Sequence, residues 1–143
     1  MKAATDTIEL TFERTIPASP TQVFEGWLSP KVSGTPWNIA EKLSLDPKID
    51  GFFYLHVKGI SHYGRFTEVE SPSRIRHTWV SPNTLGLESI VTLTFKKQGA
   101  DTIMTLAHSG LPDTPEGRKH EQGWNYFLNT FPEQFGKASR EEK

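Results

Sequence analysis

The chain has 143 residues, a formal net charge of −1 and no cysteine. A domain of this length can bury a full hydrophobic core, and the lack of cysteine excludes disulfides and thiolate metal sites. Lys and Arg are scattered among Asp and Glu, which disfavours nucleic-acid binding. No apolar stretch approaches the roughly 18 residues of a membrane helix, and no secretory signal is visible behind Met1–Asp6. We therefore expect a cytoplasmic protein without a membrane or nucleic-acid partner.

The first third of the chain predicts one strand and two short helices. Apolar and polar residues alternate over Ile8–Ile16, which is the period of a strand. Ser19-Pro20-Thr21-Gln22 has the residues of a capping box with proline at the first helical position, so a helix should run to about Leu28. Ser29-Pro30 repeats this start signal and predicts a second short helix, which Gly34 should end.

Strands separated by turn residues fill the middle of the chain. The predicted strands are Glu41–Leu45, Gly51–Val57, His62–Glu70, Arg74–Val80, Glu88–Lys97 and Thr102–His108. Because the connections are short, consecutive strands should pair as antiparallel hairpins.

One long helix is predicted at the end of the chain. Thr114 can cap it, and it should run to about Phe135 with Gly136 as its stop. Its apolar residues form a single stripe: Trp124, Phe127, Leu128, Phe131 and Phe135. The fold class is therefore α+β, with a curved seven-stranded antiparallel sheet wrapped around this helix. We expect a single domain over residues 1–143, with its core at about 8–136 and a frayed tail at 137–143.

Several short motifs follow one another in a fixed order over Ile8–Phe135. They are Phe24-Glu25-Gly26-Trp27, Trp37, Gly51-Phe52-Phe53, Thr78-Trp79, Thr105 to Pro112, and Gly123-Trp124. In this order they resemble the SRPBCC superfamily, whose START-like fold is also called the helix grip, and within it the family of homologues of the heat-shock protein 90 ATPase activator. Two residues depart from the family pattern: His77 replaces an apolar residue, and Pro132 interrupts the final helix.

The resemblance implies that a small apolar molecule is gripped between the helix and the sheet, and the aromatic residues support this. The side chains predicted to face this space, and so to bind the ligand, are Trp27, Trp37, Phe53, Leu55, His77, Trp79, Leu93, Leu106, His108, Trp124, Phe127 and Phe131. For each aromatic residue alone, core packing is the simpler interpretation. His77 and His108 are either satisfied by the backbone or in contact with the polar end of a ligand.

Catalytic, metal and cofactor sites find little support. His120-Glu121 lacks the second histidine of a zinc motif, and Ser109-Gly110 lacks the surrounding glycines of a nucleophile elbow. Glu68 is a candidate inward acid, although a bulge near Gly64 would turn it outward. We expect no metal and no cofactor, and the residues favour a binding protein over an enzyme without deciding between them.

Three functions remain open. The first is binding of a small hydrophobic or aromatic molecule. The second is a protein-interaction domain whose partner is a chaperone or a second copy of the chain. The outward Phe52 and Tyr54 are either covered by side chains of a neighbouring strand or mark a subunit contact. The third is a cyclase or hydratase, which would need a perturbed acid or base beside the pocket.

Overall fold

A computed structural model describes residues 6–141 of the chain, with side chains described as far as residue 135. Seven strands form one antiparallel sheet in the order β1-β7-β6-β5-β4-β3-β2, which confirms the predicted helix-grip class. The strands are β1 Thr7–Ile16, β2 Lys42–Leu45, β3 Phe52–Val57, β4 Ile60–Glu70, β5 Arg74–Trp79, β6 Ser89–Gln98 and β7 Asp101–Pro112. No helix in this described part of the chain is long and apolar enough to cross a membrane.

One short helix, α1, follows β1 and spans Pro20–Trp27. Its predicted capping box is confirmed: the backbone N–H of Gln22 donates to Ser19 Oγ at 3.2 Å, and Ser19 N–H donates to Gln22 Oε1 at 3.1 Å. The second short helix predicted after Ser29-Pro30 is wrong, because this segment forms successive turns. The turn at Gly34 has a φ of +91°, and an added Cβ there would lie 2.3 Å from the backbone nitrogen of Phe131. Close packing against the last helix therefore sets the path of this loop.

The C-terminal helix is divided in two. Thr114 caps α2, Pro115–Arg118, and α3 then spans His120–Glu141. The Gly117 carbonyl accepts a hydrogen bond from His120 Nδ1 at 2.9 Å, beside the break at Lys119. The predicted stop at Gly136 is wrong, since α3 continues to Glu141. The fraying predicted for 137–143 lies outside the described residues, because side chains are described only as far as residue 135 and the backbone only as far as residue 141.

The core lies between the sheet and one face of α3. Trp124, Leu128 and Phe131 of α3 are buried there, and the ring of Phe131 meets that of Trp27 from α1 edge to face at 5.2 Å. On the opposite side of the helix, Arg14 of β1 donates to the side-chain oxygens of Asn125 and Asn129 at 2.9 and 3.0 Å. Aromatic packing and polar contacts thus fix α3 across the sheet.

Strand periodicity places the buried faces as predicted. The inward residues of β5, β6 and β7 are all buried: Ile75, His77, Trp79, Val91, Leu93, Phe95, Met104, Leu106 and His108. A register shift between Phe66 and Glu68 turns Glu68 to the outer face. There its carboxylate lies 3.2 Å from Arg74 and 3.8 Å from Arg76, so it is not an inward acid.

Candidate functional site

A groove opens where the first half of α3 faces the β2–β4 side of the sheet. Three adjoining cavities form it, each with Phe127 in its wall, and we call them the inner, middle and outer cavities of the helix-mouth groove. The inner cavity, of about 150 Å³, is lined by His62, Trp79, Asn83, Lys119, His120, Gly123, Trp124 and Phe127. The middle cavity, of about 190 Å³, is lined by Pro36, Ile39, Leu55, Val57, Lys58, Ile60, His62, Trp79 and Phe127. The outer cavity, of about 540 Å³, is lined by Ile39, Glu41, Val57, Lys58, Gln122, Gly123, Tyr126 and Phe127.

The β3–β4 hairpin builds one wall of this groove. Lys58 and Gly59 both have positive φ, 50° and 80°, as in the tight turns that close two-residue hairpins. The turn pairs Val57 with Ile60 and Leu55 with His62, and these residues face the helix. Phe127 of α3 forms the opposite wall. The groove therefore has mainly apolar walls in its middle cavity, polar residues join these walls in the inner and outer cavities, and Trp79 and Trp124 line its inner end.

Two residues that line the inner cavity carry unsatisfied polar atoms. Nδ1 of His62 and Nε1 of Trp79 are buried and have no hydrogen-bond partner among the described residues. The two rings lie 5.1 Å apart. A buried donor without a partner costs about 1–3 kcal/mol. This end of the groove is thus suited to a ligand that carries a hydrogen-bonding group.

His108 belongs to a closed hydrogen-bond chain behind this cavity. Trp124 Nε1–H donates to His108 Nδ1 at 2.9 Å, so the proton of the neutral imidazole is on Nε2. Nε2 lies 2.8 Å from Ser89 Oγ and donates to it, and Ser89 Oγ in turn donates to the Trp79 carbonyl at 2.6 Å. Every polar atom of the ring is satisfied, and the chain connects α3 to β7, β6 and β5. Burial holds the pKa of His108 well below its usual range, with the charge on His120 as a further cause.

His77 is isolated in the core among aromatic rings. The centroids of Phe53 and Phe66 lie 5.0 and 5.3 Å from its own. Its Nδ1 donates to the Thr78 carbonyl at 2.8 Å. Burial lowers the pKa of His77 to about 4, so the ring is neutral at physiological pH. His77 thus has the backbone partner that its simpler interpretation required, and it lines none of the three cavities.

Two histidines that the sequence did not single out as ligand contacts form the polar end of the groove. Burial lowers the pKa of His62 to about 4, and the charge on His120 is the next cause. Burial also lowers the pKa of His120. Strand alternation could have found His62, which lies on the same face as Gly64 and Phe66. No local sequence signal could have found His120, because the direction of its side chain depends on the break between α2 and α3 at Lys119.

The twelve predicted ligand contacts divide into two groups. Leu55, Trp79, Trp124 and Phe127 line the groove. The other eight are buried outside it: Trp27, Trp37, Phe53, His77, Leu93, Leu106, His108 and Phe131. Trp37, for example, donates from Nε1 to the Trp27 carbonyl at 2.8 Å and stacks edge to face on Phe53 at 5.1 Å. The centre of the grip is thus filled by side chains, and the open space lies toward one end of the helix.

A second exposed feature lies on the outer face of β3 and β4. Phe52 is 67% exposed and Tyr63 is 53% exposed, and Tyr63 pairs with Tyr54 across the two strands. Large aromatic residues on an outer sheet face are typical of a contact surface. We call these three residues the outer aromatic face.

The described residues offer no metal centre. They include no group of three or more His, Cys, Asp or Glu side chains that could hold a metal ion. His62 and His120 meet Trp79 and Lys119 around the inner cavity, which is a set suited to hydrogen bonding.

Comparison with known proteins agrees with this fold. A family model described as "Activator of Hsp90 ATPase homolog 1-like protein" matches residues 17–136. No curated protein sequence matches the chain.

Solved structures share the same architecture. The crystal structure of a Mesorhizobium loti protein superposes with a TM-score of 0.74 at 18% identity, covering 91% of this chain and 98% of that one. An HSP90 activator from Plasmodium falciparum gives a TM-score of 0.65 at 25% identity, covering 87% and 89%. The Aha1 dimer from Colwellia psychrerythraea gives a TM-score of 0.72 at 13% identity, covering 90% and 96%.

Proposed function

We propose a function for this chain, which belongs to the Activator of Hsp90 ATPase homolog 1-like family, as the match over residues 17–136 shows. The chain binds a small, largely apolar molecule in the helix-mouth groove. One observation carries this proposal. The groove combines apolar walls from two elements with two residues at its inner end, His62 and Trp79, that carry buried polar atoms without partners among the described residues. Such a combination is the usual character of a small-molecule site.

The dimensions of the groove limit the ligand. The middle cavity, of about 190 Å³, exceeds the roughly 150 Å³ that accommodates a benzene-sized ring. The inner and outer cavities then receive the rest of the molecule. Burial supplies about 0.8 kcal/mol per CH₂ group, and micromolar affinity corresponds to about 8 kcal/mol. A ligand of roughly ten carbon atoms would therefore bind in the micromolar range or more weakly, once the cost of association is included.

Dye binding tests the proposal with two matched variants. N-phenyl-1-naphthylamine, a neutral environment-sensitive dye, is titrated into the protein and followed by fluorescence, and fatty acids and flavonoid-like compounds are then used as competitors. Phe127→Ala removes a wall of all three cavities and should weaken binding about tenfold. Phe135→Ala is the control, since Phe135 is also half-buried on α3 but packs on Phe131 away from the groove. Urea denaturation of both variants separates binding from folding.

Two results would contradict the proposal. The first is the absence of dye binding up to saturating protein concentration. The second is an equal loss of affinity in Phe127→Ala and Phe135→Ala at comparable stability, which would place the dye elsewhere.

A second candidate function is protein interaction through the outer aromatic face. The observation that favours it is the exposure of Phe52 and Tyr63, in a chain 25% identical to a structure described as an HSP90 activator. Phe52→Ser combined with Tyr63→Ser removes the two most exposed residues of this face without touching the groove. Stimulation of the ATPase of purified heat-shock protein 90 measures a chaperone contact, and light scattering after size exclusion measures self-association. If wild type and the double variant behave identically in both assays, this candidate fails.

A further inference from the structure

We infer that the inner cavity is a subsite for an acidic head group, so that the ligand is an apolar carboxylic acid whose carboxylate lies among Trp79, Lys119 and His120. This inference rests on the proposed function, because it assigns the chemical class of the molecule that the helix-mouth groove binds. It is carried by three features of the cavity: an unpartnered donor, a lining with a lysine and two histidines but no acidic residue, and an apolar continuation.

The unpartnered donor is the indole of Trp79. This residue is only 5% exposed, and its Nε1–H has no partner among the described residues. An indole nitrogen can only donate, so the group that satisfies it must be an acceptor. Trp37 and Trp124 both donate to protein acceptors. Trp27 also lacks a partner but lines none of the three cavities, so Trp79 is the one tryptophan of the four that both carries an unused donor and lines a cavity.

The charges around the cavity favour an anion. Its lining contains Lys119, His62 and His120 and no acidic residue. His120 donates from Nδ1 to the Gly117 carbonyl, which leaves its Nε2 for a second partner. Burial keeps the two histidines neutral, and the charge on His120 additionally disfavours protonation of His62. A carboxylate in the cavity would favour the protonated state of an adjacent histidine, because a nearby negative charge raises the pKa of the imidazole.

The geometry gives each group a task. The Trp79 indole donates to one carboxylate oxygen, and the Lys119 ammonium neutralises the charge from the exposed side of the cavity. His120 takes up a proton as the acid binds and then donates from Nε2. The apolar body leaves the inner cavity toward Leu55, Ile60 and Phe127 of the middle cavity. A neutral alcohol of the same shape would fill the same space and satisfy Trp79, but it would gain nothing from Lys119 or from a protonated His120.

A matched pair of probes tests the assignment. Isothermal titration calorimetry at pH 6.5 compares 2-naphthoic acid with 2-naphthylmethanol, which have the same ring system. We expect the acid to bind at least tenfold more tightly than the alcohol. Repeating the acid titration in two buffers of different ionisation enthalpy should show net proton uptake, and the alcohol should show none.

Variants assign the preference to the cavity. Lys119→Gln should reduce the affinity for the acid about threefold to tenfold and leave that for the alcohol unchanged. Lys96→Gln, an exposed lysine on β6 outside the groove, is the control and should alter neither. His120→Gln should abolish proton uptake. Because Lys119 is exposed, its variant is expected to fold, which urea denaturation verifies.

The outcomes separate the two proposals. If the acid and the alcohol bind equally, or if Lys119→Gln and Lys96→Gln have the same effect, the acidic subsite is refuted while the apolar groove stands. If neither probe binds and the neutral dye also fails to bind, the proposed function falls together with the inference.

Discussion

The same substitution should change the stability of the protein strongly at one buried histidine and little at another. His108 connects Trp124 of α3 to Ser89 of β6, whereas His77 donates only to the carbonyl of its neighbour Thr78. We predict that His108→Phe strongly destabilises the protein and that His77→Phe does not. Ring size enters both variants equally, so the difference between them isolates the hydrogen bonds.

The magnitude follows from the groups left behind. In His108→Phe, the buried indole N–H of Trp124 loses its acceptor, which costs about 1–3 kcal/mol. The hydroxyl of Ser89 still donates to the Trp79 carbonyl but no longer accepts a hydrogen bond from His108 Nε2, which adds about 1 kcal/mol. The sum is about 2–4 kcal/mol. In His77→Phe, one hydrogen bond of about 1 kcal/mol is lost, and the gain from an apolar ring among Phe53 and Phe66 offsets it. We expect this variant to remain within about 1 kcal/mol of wild type.

Urea denaturation at pH 7.5, followed by circular dichroism, measures both values. The indole N–H resonance of Trp124 in a ¹⁵N-labelled sample gives a second measurement, and it should shift in His108→Phe alone. If the two variants differ by less than about 0.5 kcal/mol, the hydrogen-bond chain does not hold α3 on the sheet. A large loss in His77→Phe alone would likewise refute the reasoning.

Three further predictions concern acid, a close backbone contact and the helix itself. The pKa of about 4 for folded His77 lies below the unfolded value near 6.5, so the unfolded chain binds more protons. The contribution of His77 to the free energy of unfolding should therefore fall by about 1.4 kcal/mol per pH unit as pH drops from 6.5 to 4, in addition to contributions of the same sign from His62, His108 and His120. Urea midpoints at several pH values should show a shallower dependence in His77→Phe than in wild type, and equal slopes would contradict this. Gly34→Ala should destabilise the protein by about 2 kcal/mol or more, because the new Cβ meets the backbone of Phe131. The control Gly99→Ala, at a glycine with positive φ but open space around it, should cost about 1 kcal/mol. Equal urea midpoints for the two variants would refute the contact. Deletion of 114–143 should abolish cooperative unfolding, since the sheet loses its cover; a soluble fragment 1–113 with a sigmoidal urea transition would show otherwise.

The sequence predicted the sheet well because strand alternation is a local property. The inward positions of β5, at Ile75, His77 and Trp79, follow from a period of two alone. The second helix failed for the opposite reason: Ser29-Pro30 is a sound local start signal, but the close approach of Gly34 to Phe131 overrides it. Such a contact joins distant parts of the chain and leaves no trace in a short window of sequence.

The candidate site was harder to predict for the same physical reason. A list of inward aromatic residues does not distinguish those that pack on each other from those that border a space. Trp27 and Phe131 meet edge to face in the core, whereas Trp79 and Phe127 border the groove. The distinction depends on how α1 and α3 fill the sheet, which is a property of volumes and not of residue types.

The two halves of α3 have different roles, and the first depends on the second. Toward its C-terminal end, Leu128 and Phe131 pack into the core and leave no open space. Toward its N-terminal end, Trp124 is held from behind by His108, while Phe127 on the next turn faces the groove. Because the core and the hydrogen-bond chain fix the helix on one side, the groove on the other side keeps its shape without a ligand. Binding there would then require little ordering of the protein, which favours affinity for a small molecule.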